Sequence, residues 1–352
     1  MKPTDESLLI DQASGAMNVS MSSGNGLLNT VALGCQAAME FATTPRNFQN
    51  PFVVRKWLKQ LRPDPISALR IKPNLRLPKK TLGFSFASNS LGLRGPEARD
   101  ADNVLFGTSY AMGFGVDNGA NWYELCLDPG RWLNLALPVG PAQQRALSHA
   151  YYHGRPRRAL VLYFANFFPY AKRYHDFSGQ ADDVFEYFRW RHRYKDCARV
   201  MGKLPFKVAQ ALHKGNMLFL KSSRGVHLLD LNYGVLHRQS TGQLFENTVA
   251  AWRTLLQPFE SVHVLRVPCK NEAAAESFPI HGLNAQRSTL DDNWEYFRSG
   301  LQRLPAITFQ DLSRCFELED YLLWDNHYNE RGNRKLAHHV SLALQGRDVR
   351  AA

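Results

Sequence analysis

The chain has 352 residues, 44% of them hydrophobic and 21% charged, which excludes a wholly disordered or collagen-like polymer. At about 150 residues per domain it has room for roughly two domains, or one α/β domain with insertions, and it can bury a large core without staples. Forty-three Lys+Arg against 31 Asp+Glu leave +12, which favours acidic partners such as nucleic acid, an anionic glycan or a membrane surface.

Residues 1–25 are rich in Ser, Asn, Gly and Met without a sustained period and read as a mobile leader. Their acids stand where a secretory signal carries a basic flank and an apolar run. The least charged stretch, residues 26–39, is too short to span a bilayer. The expectation is a cytoplasmic protein with no transmembrane segment. Residues 26–100 form an N-terminal extension packing on the core. Prolines recur among its basic residues, predicting an extended segment after a short helix around 53–61.

From residue 101 the pattern changes. Short apolar runs at 103–106, 132–137, 159–164, 262–267 and 306–309, bounded by Gly, Pro or Asn, predict buried parallel strands. Helical stretches are predicted at 141–152, 246–256, 292–304 and 330–344, the last with Asn329 as N-cap. Strand alternating with helix predicts an α/β fold, a doubly wound sandwich over residues 101–345. Residues of about 171–245 are too many for one crossover and are expected to form an insertion.

The five cysteines (35, 126, 197, 269 and 315) are scattered, with no C-x-x-C pair, so neither a disulfide framework nor a cysteine zinc site is expected. His149 and His153 have a metal-friendly spacing, but no acid or cysteine beside them completes a site; no metal or other cofactor is expected. Arg189-Trp190-Arg191-His192-Arg193-Tyr194-Lys195 interleaves cations and aromatics. Flanking acids and an apolar face make it read as a solvated amphipathic helix before a nucleic-acid or glycan surface. His338 and His339 are expected at the surface of the closing helix.

Two segments carry candidate chemistry. Gly107-Thr108-Ser109 follows the 103–106 strand, which puts a serine hydroxyl in the crevice where open α/β sheets bind ligands. The bland alternative is a polar turn. Asp325-Asn326-His327 lies near the other end, where two residues apart in an extended loop project to one side. Asp325 would then fix the His327 tautomer; the alternative is a capping loop with a surface histidine. The order Ser…Asp…His is what a nucleophile, its base and an orienting carboxylate require.

These segments resemble the blocks of the SGNH (GDSL-type) hydrolase superfamily. Asn89-Ser90-Leu91-Gly92-Leu93-Arg94-Gly95 is similar to the lead-in of many bacterial members, and Gly107-Thr108-Ser109 with Tyr110, Gly113 and Gly115 to the nucleophile block. The segment from Asn134 to Gly140, with Gln143 following, resembles the second block. Leu160 to Asn166 resembles the third, and Asp325-x-His327-x-Asn329-x-x-Gly332 the last. The departures are Thr108 for the usual aspartate, Val139 where the second-block glycine commonly stands, Phe167 after Asn166, and a D-x-H spacing tighter than D-x-x-H.

The resemblance implies a flavodoxin-like three-layer α/β/α sandwich with a central parallel sheet of about five strands plus the insertion. It implies a triad of Ser109, Asp325 and His327, with an oxyanion hole from Ser109, Gly140 and Asn166. The implied activity is a serine esterase or O-acyltransferase on an acylated carbohydrate or other small polar ester. The alternative is a catalytically degenerate scaffold that binds an acidic glycan or a biosynthetic partner.

Overall fold

The computed structural model describes residues 56–57, 59–64, 66, 68–97, 101–128, 130–137, 140–152, 157–163, 217–230, 242–278, 281–323 and 325–347. The N-terminal part holds two antiparallel pairs, β1 (Leu61–Asp64) with β2 (Ala68–Ile71) and β3 (Arg76–Leu77) with β4 (Phe86–Ala87), and the one-turn helix α1 (Lys79–Leu82). The central elements follow as β5 (Asn103–Phe106), α2 (Trp122–Cys126), β6 (Trp132–Asn134), α3 (Pro141–Tyr151) and β7 (Arg158–Tyr163). After the hairpin β8 (Met217–Ser222) and β9 (Gly225–Asp230) come α4 (Gly242–Leu256), β10 (Ser261–Arg266), α5 (Lys270–Ser277), α6 (His281–Leu301) and β11 (Ile307–Asp311). A 3-10 turn (Leu318–Asp320) and α7 (Glu330–Leu344) close the described chain.

β5, β6, β7, β10 and β11 form one all-parallel sheet in the order β11-β10-β7-β5-β6. Counted along the chain this is 2-1-3-4-5, a doubly wound order whose direction reverses between β5 and β7. Parallel crossovers are right-handed, so the helix of β5-to-β6 lies on one face and those of the later, oppositely directed crossovers on the other. The contacts agree: α4 packs on α3 and α6, whereas α7 packs on α2. The result is an α/β sandwich with helices on both faces.

Burial on both faces explains why the strands read as continuous apolar runs. Val104, Leu105 and Phe106 are all fully buried, each contributing about 1.5–3 kcal/mol. Phe106 meets Trp252 of α4 and Phe259 edge-on, and Tyr163 stacks on Phe297 of α6 with centroids 4.0 Å apart.

β5 and α7 coincide with their expected bounds, and α3 does so to one residue. α6 begins eleven residues before its expected start, and α5 was not anticipated. α5 reads KNEAAAES, so alanine and charge take the place of the large apolar repeat that marks a helix in sequence. The 53–61 helix is described only at Lys56 and Trp57, and β1 already begins at Leu61. Of the expected insertion (about 171–245) the β8–β9 hairpin and residues 242–245, the start of α4, are described. Leu220 and Leu229 bury the hairpin against Ala274, Ala275, Leu283 and Leu318. His339 corrects an expectation: it is buried on α7 beside Phe316, while His338 is exposed.

The leader (residues 1–25), Cys35, His153, the 189–195 stretch and Cys197 lie outside the described residues. Cys126, Cys269 and Cys315 form no disulfide with one another. Among the described residues no helix is long and apolar enough to cross a membrane, and no group of His, Cys, Asp or Glu is arranged to hold a metal ion.

Candidate active site

Ser109 stands three residues past the carboxyl end of β5, at the switch point of the sheet. The turn delivering it depends on Gly107, whose φ is +148°. A Cβ there would come within 2.4 Å of the Ala111 Cβ and 3.1 Å of the Leu162 carbonyl oxygen, so only glycine fits. Gln144 of α3 grips the same residue twice: its Nε2 donates to Gly107 O (2.9 Å) and its Oε1 accepts from Gly107 N–H (3.3 Å). These bonds, with Leu137 N–H donating to Gly107 O, seat the start of α3 and its N-cap Gly140 against the Ser109 turn. The sequence pointed to the neighbouring Gln143; helical phase turns Gln144 inward instead, and it is fully buried.

The extension supports this turn from behind. Asn89 folds its own segment into a tight turn, its Oδ1 accepting from Leu91 N–H and Leu93 N–H at 3.0 Å each. The next turn aims the buried Arg94 at the loop after Ser109, where its guanidinium donates to Gly113 O and to Val116 O (2.8 Å). Burial lowers the Arg94 pKa, opposed by Tyr123, Glu124 and Asp117.

Asp325 and His327 sit in the segment between β11 and α7. Tyr321 and Tyr328 bridge antiparallel to each other, and both hydroxyls donate to Pro268 O at 2.8 Å. Between them the chain bends: Asp325 Oδ1 accepts from the backbone N–H of His327 at 2.8 Å and also bonds the Nδ1 of that ring. The expected alternation of an extended loop is therefore replaced by an Asx-type turn, in which one carboxylate oxygen orients both backbone and ring. Beyond the bend Asn329 caps α7, accepting from Arg331 N–H (2.9 Å) and Gly332 N–H (3.1 Å). Glycine at 332 is required, because a Cβ would fall 2.3 Å from the carbonyl oxygen of Asp320.

The bend faces the Ser109 turn. His327 Nε2 lies 2.8 Å from Ser109 Oγ across 218 positions of sequence. Ser109, His327 and Asp325 thus form one continuous hydrogen-bonded chain. Tyr110 lies over the imidazole with ring centroids 4.7 Å apart, and Phe114 meets it edge-on at 5.3 Å. Burial pushes the Asp325 carboxyl up, but the His327 charge, its two hydrogen bonds and the Lys270 charge together hold it below the ordinary carboxyl value. Asp325 therefore stays ionised in a dry setting, its side chain 7% exposed, while His327 at 15% keeps an open edge.

Tyr110 and Phe114 belong to the Ser109 segment itself, whereas Gln144, on Gly107, and Lys270, on the carbonyl of Asp325, join the site only through the fold. Of the expected oxyanion donors, Ser109 and Gly140 are described as above. Asn166 lies outside the described residues, as do Val139 and Phe167. No protein-family model and no curated protein matches this chain.

Proposed function

We propose that this protein is an SGNH-like serine esterase or O-acyltransferase acting on an acylated carbohydrate or another small polar ester. The observation that carries the reading is the 2.8 Å approach of Ser109 Oγ to His327 Nε2, with Asp325 behind the ring. A nucleophile and its base need a separation of about 2.6–3.2 Å. The sheet order adds support, because 2-1-3-4-5 is flavodoxin-like and a ligand crevice is expected where Ser109 stands.

In this reading Ser109 Oγ attacks the ester carbonyl carbon while His327 Nε2 takes its proton. Asp325 stabilises the resulting imidazolium. The tetrahedral intermediate collapses, and His327 returns the proton to the departing alkoxide. A second oxygen, from water or a sugar hydroxyl, then attacks the acyl-serine with His327 again as base, and the acyl–Oγ bond of Ser109 breaks as His327 returns that proton to the serine oxygen. Backbone N–H groups of Ser109 and Gly140 and the Asn166 amide are assigned to the oxyanion, each worth about 3 kcal/mol where such donors have been removed.

The test is Ser109→Ala, assayed on short-chain p-nitrophenyl esters and by fluorophosphonate labelling. The variant is expected to lose turnover by about 10⁴-fold or more and to lose labelling entirely. Unchanged turnover or labelling refutes the assigned nucleophile. A wild-type chain that is inactive yet retained on an anionic polysaccharide column, with retention fading as salt rises, favours the binding-scaffold alternative.

A further inference from the structure

Lys270 breaks two rules at once. It is fully buried, and it is the first residue of α5, where the helix dipole opposes a cation. Burial accordingly pulls its pKa down to about 7, with Asp325 opposing. A lysine kept in such a place needs compensation, and the compensation is specific. Its Nζ donates to Leu322 O (2.8 Å), Leu323 O (2.7 Å) and Asp325 O (3.4 Å). An ammonium has three N–H donors and no lone pair, so three converging carbonyls suit it and not the neutral amine. Those carbonyls belong to the bend that presents Asp325 and His327.

We infer that Lys270 is a positioning residue for the triad, locking the 322–325 bend through its three ammonium hydrogens so that Asp325 and His327 face Ser109. The inference rests on the proposed acyl transfer and deepens it. Lys270 acts through the backbone of the bend and through its charge near Asp325. The titratable groups that feel its charge include Asp325 on the bend and His227 on the β8–β9 hairpin, where Arg224 acts on the same imidazole. On α5 itself Glu272 is engaged by Arg266 at 2.6 Å. Burial first, and then the charges of Lys270 and Arg224, lower the His227 pKa.

The expected consequence is an activity that needs Lys270 charged, with an alkaline limb where it deprotonates. The test compares wild type, Lys270→Met and Lys270→Arg by two readouts. One is the low-field proton resonance of the His327–Asp325 hydrogen bond, which requires no substrate and no turnover. The other is the split of kcat from KM across pH on a p-nitrophenyl ester. Lys270→Met is expected to lose the resonance and about 100-fold in kcat with KM little changed, the scale of a misplaced catalytic group. Lys270→Arg, charged at all accessible pH, is expected to restore part of kcat and move the alkaline limb upward.

A Lys270→Met protein that keeps the resonance overturns the inference. Should that variant fail to fold, wild type decides alone: the resonance must fade as pH rises through the lysine titration, and its persistence overturns the inference equally. If Ser109→Ala leaves turnover unchanged while the resonance still depends on Lys270, the acyl-transfer reading fails and the positioning role stands.

Discussion

Replacing Asp325 by Asn keeps the shape of the bend and removes one charge. The amide oxygen can still accept from His327 N–H and from Nδ1, so the turn is expected to survive. What disappears is the carboxylate beside the imidazolium that the proposed reaction forms as Ser109 loses its proton. With the side chains 7% and 15% exposed, an effective dielectric constant of about 20 is appropriate, neither that of water nor that of a dry interior. At about 3 Å the Coulomb attraction is then about 5 kcal/mol. At 1.36 kcal/mol per decade this corresponds to about 10³- to 10⁴-fold in rate if most of the charge has developed at the transition state. Asn also deprives Lys270 of the carboxylate opposing its desolvation, which adds in the same direction. The assay is kcat/KM on short-chain esters together with the fluorophosphonate labelling rate, which depends on no particular substrate. A variant within about tenfold of wild type in both would show Asp325 to be a turn-building residue and refute the electrostatic argument.

Two further predictions concern the frame around the site. Gly107→Ala places a methyl group against the Ala111 Cβ and the Leu162 carbonyl at a left-handed φ, so a loss of about 2–4 kcal/mol in denaturant stability and a collapse of labelling at Ser109 are expected. Wild-type stability with wild-type labelling would show that the turn relaxes freely. His339 is a pH-linked cost: burial, then the charges of His338 and Lys335, lower its pKa to about 4, with Asp320 opposing, and its Nδ1 has no hydrogen-bond partner among the described residues. The unfolded chain takes up that proton below about 6.5 and the folded one only near 4, so stability falls as pH drops between them. His339→Leu is expected to flatten the curve of urea midpoint against pH in that window, and an unaltered slope would assign the acid sensitivity elsewhere.

Much of this architecture is written in local sequence. The run Asn-Val-Leu-Phe at 103–106 is short, wholly apolar after its first residue and bounded by glycine, which reads as a buried strand, and β5 occupies those four positions. α7 is equally explicit: Asn329 caps it, and Leu336, Val340 and Ala343 recur at the spacing of one face. α5 escaped notice because Ala273, Ala274 and Ala275 bury themselves without the bulky periodicity that marks a helix. His339 was misplaced because pairing with a neighbouring histidine says nothing of helical phase; position 339 falls on the buried side and 338 on the exposed one.

Apolar period, caps and glycines act over a few residues, and so the strands of the central sheet, four of the helices and the separate Ser109 and Asp325/His327 segments are readable one at a time, whereas the short antiparallel pairs β1–β2, β3–β4 and β8–β9 are not. The joining of Ser109 to His327, the bend that replaces an extended Asp–His pair, and the buried cations Arg94 and Lys270 were decided by the tertiary structure alone. The physical reason is that their partners are remote in sequence: an imidazole 218 positions away, and backbone carbonyls 22 and 52 positions away. Every residue has a carbonyl, so a lysine that will be satisfied by three of them looks in sequence like any solvated lysine. Only packing that removes the water and aims the carbonyls distinguishes it.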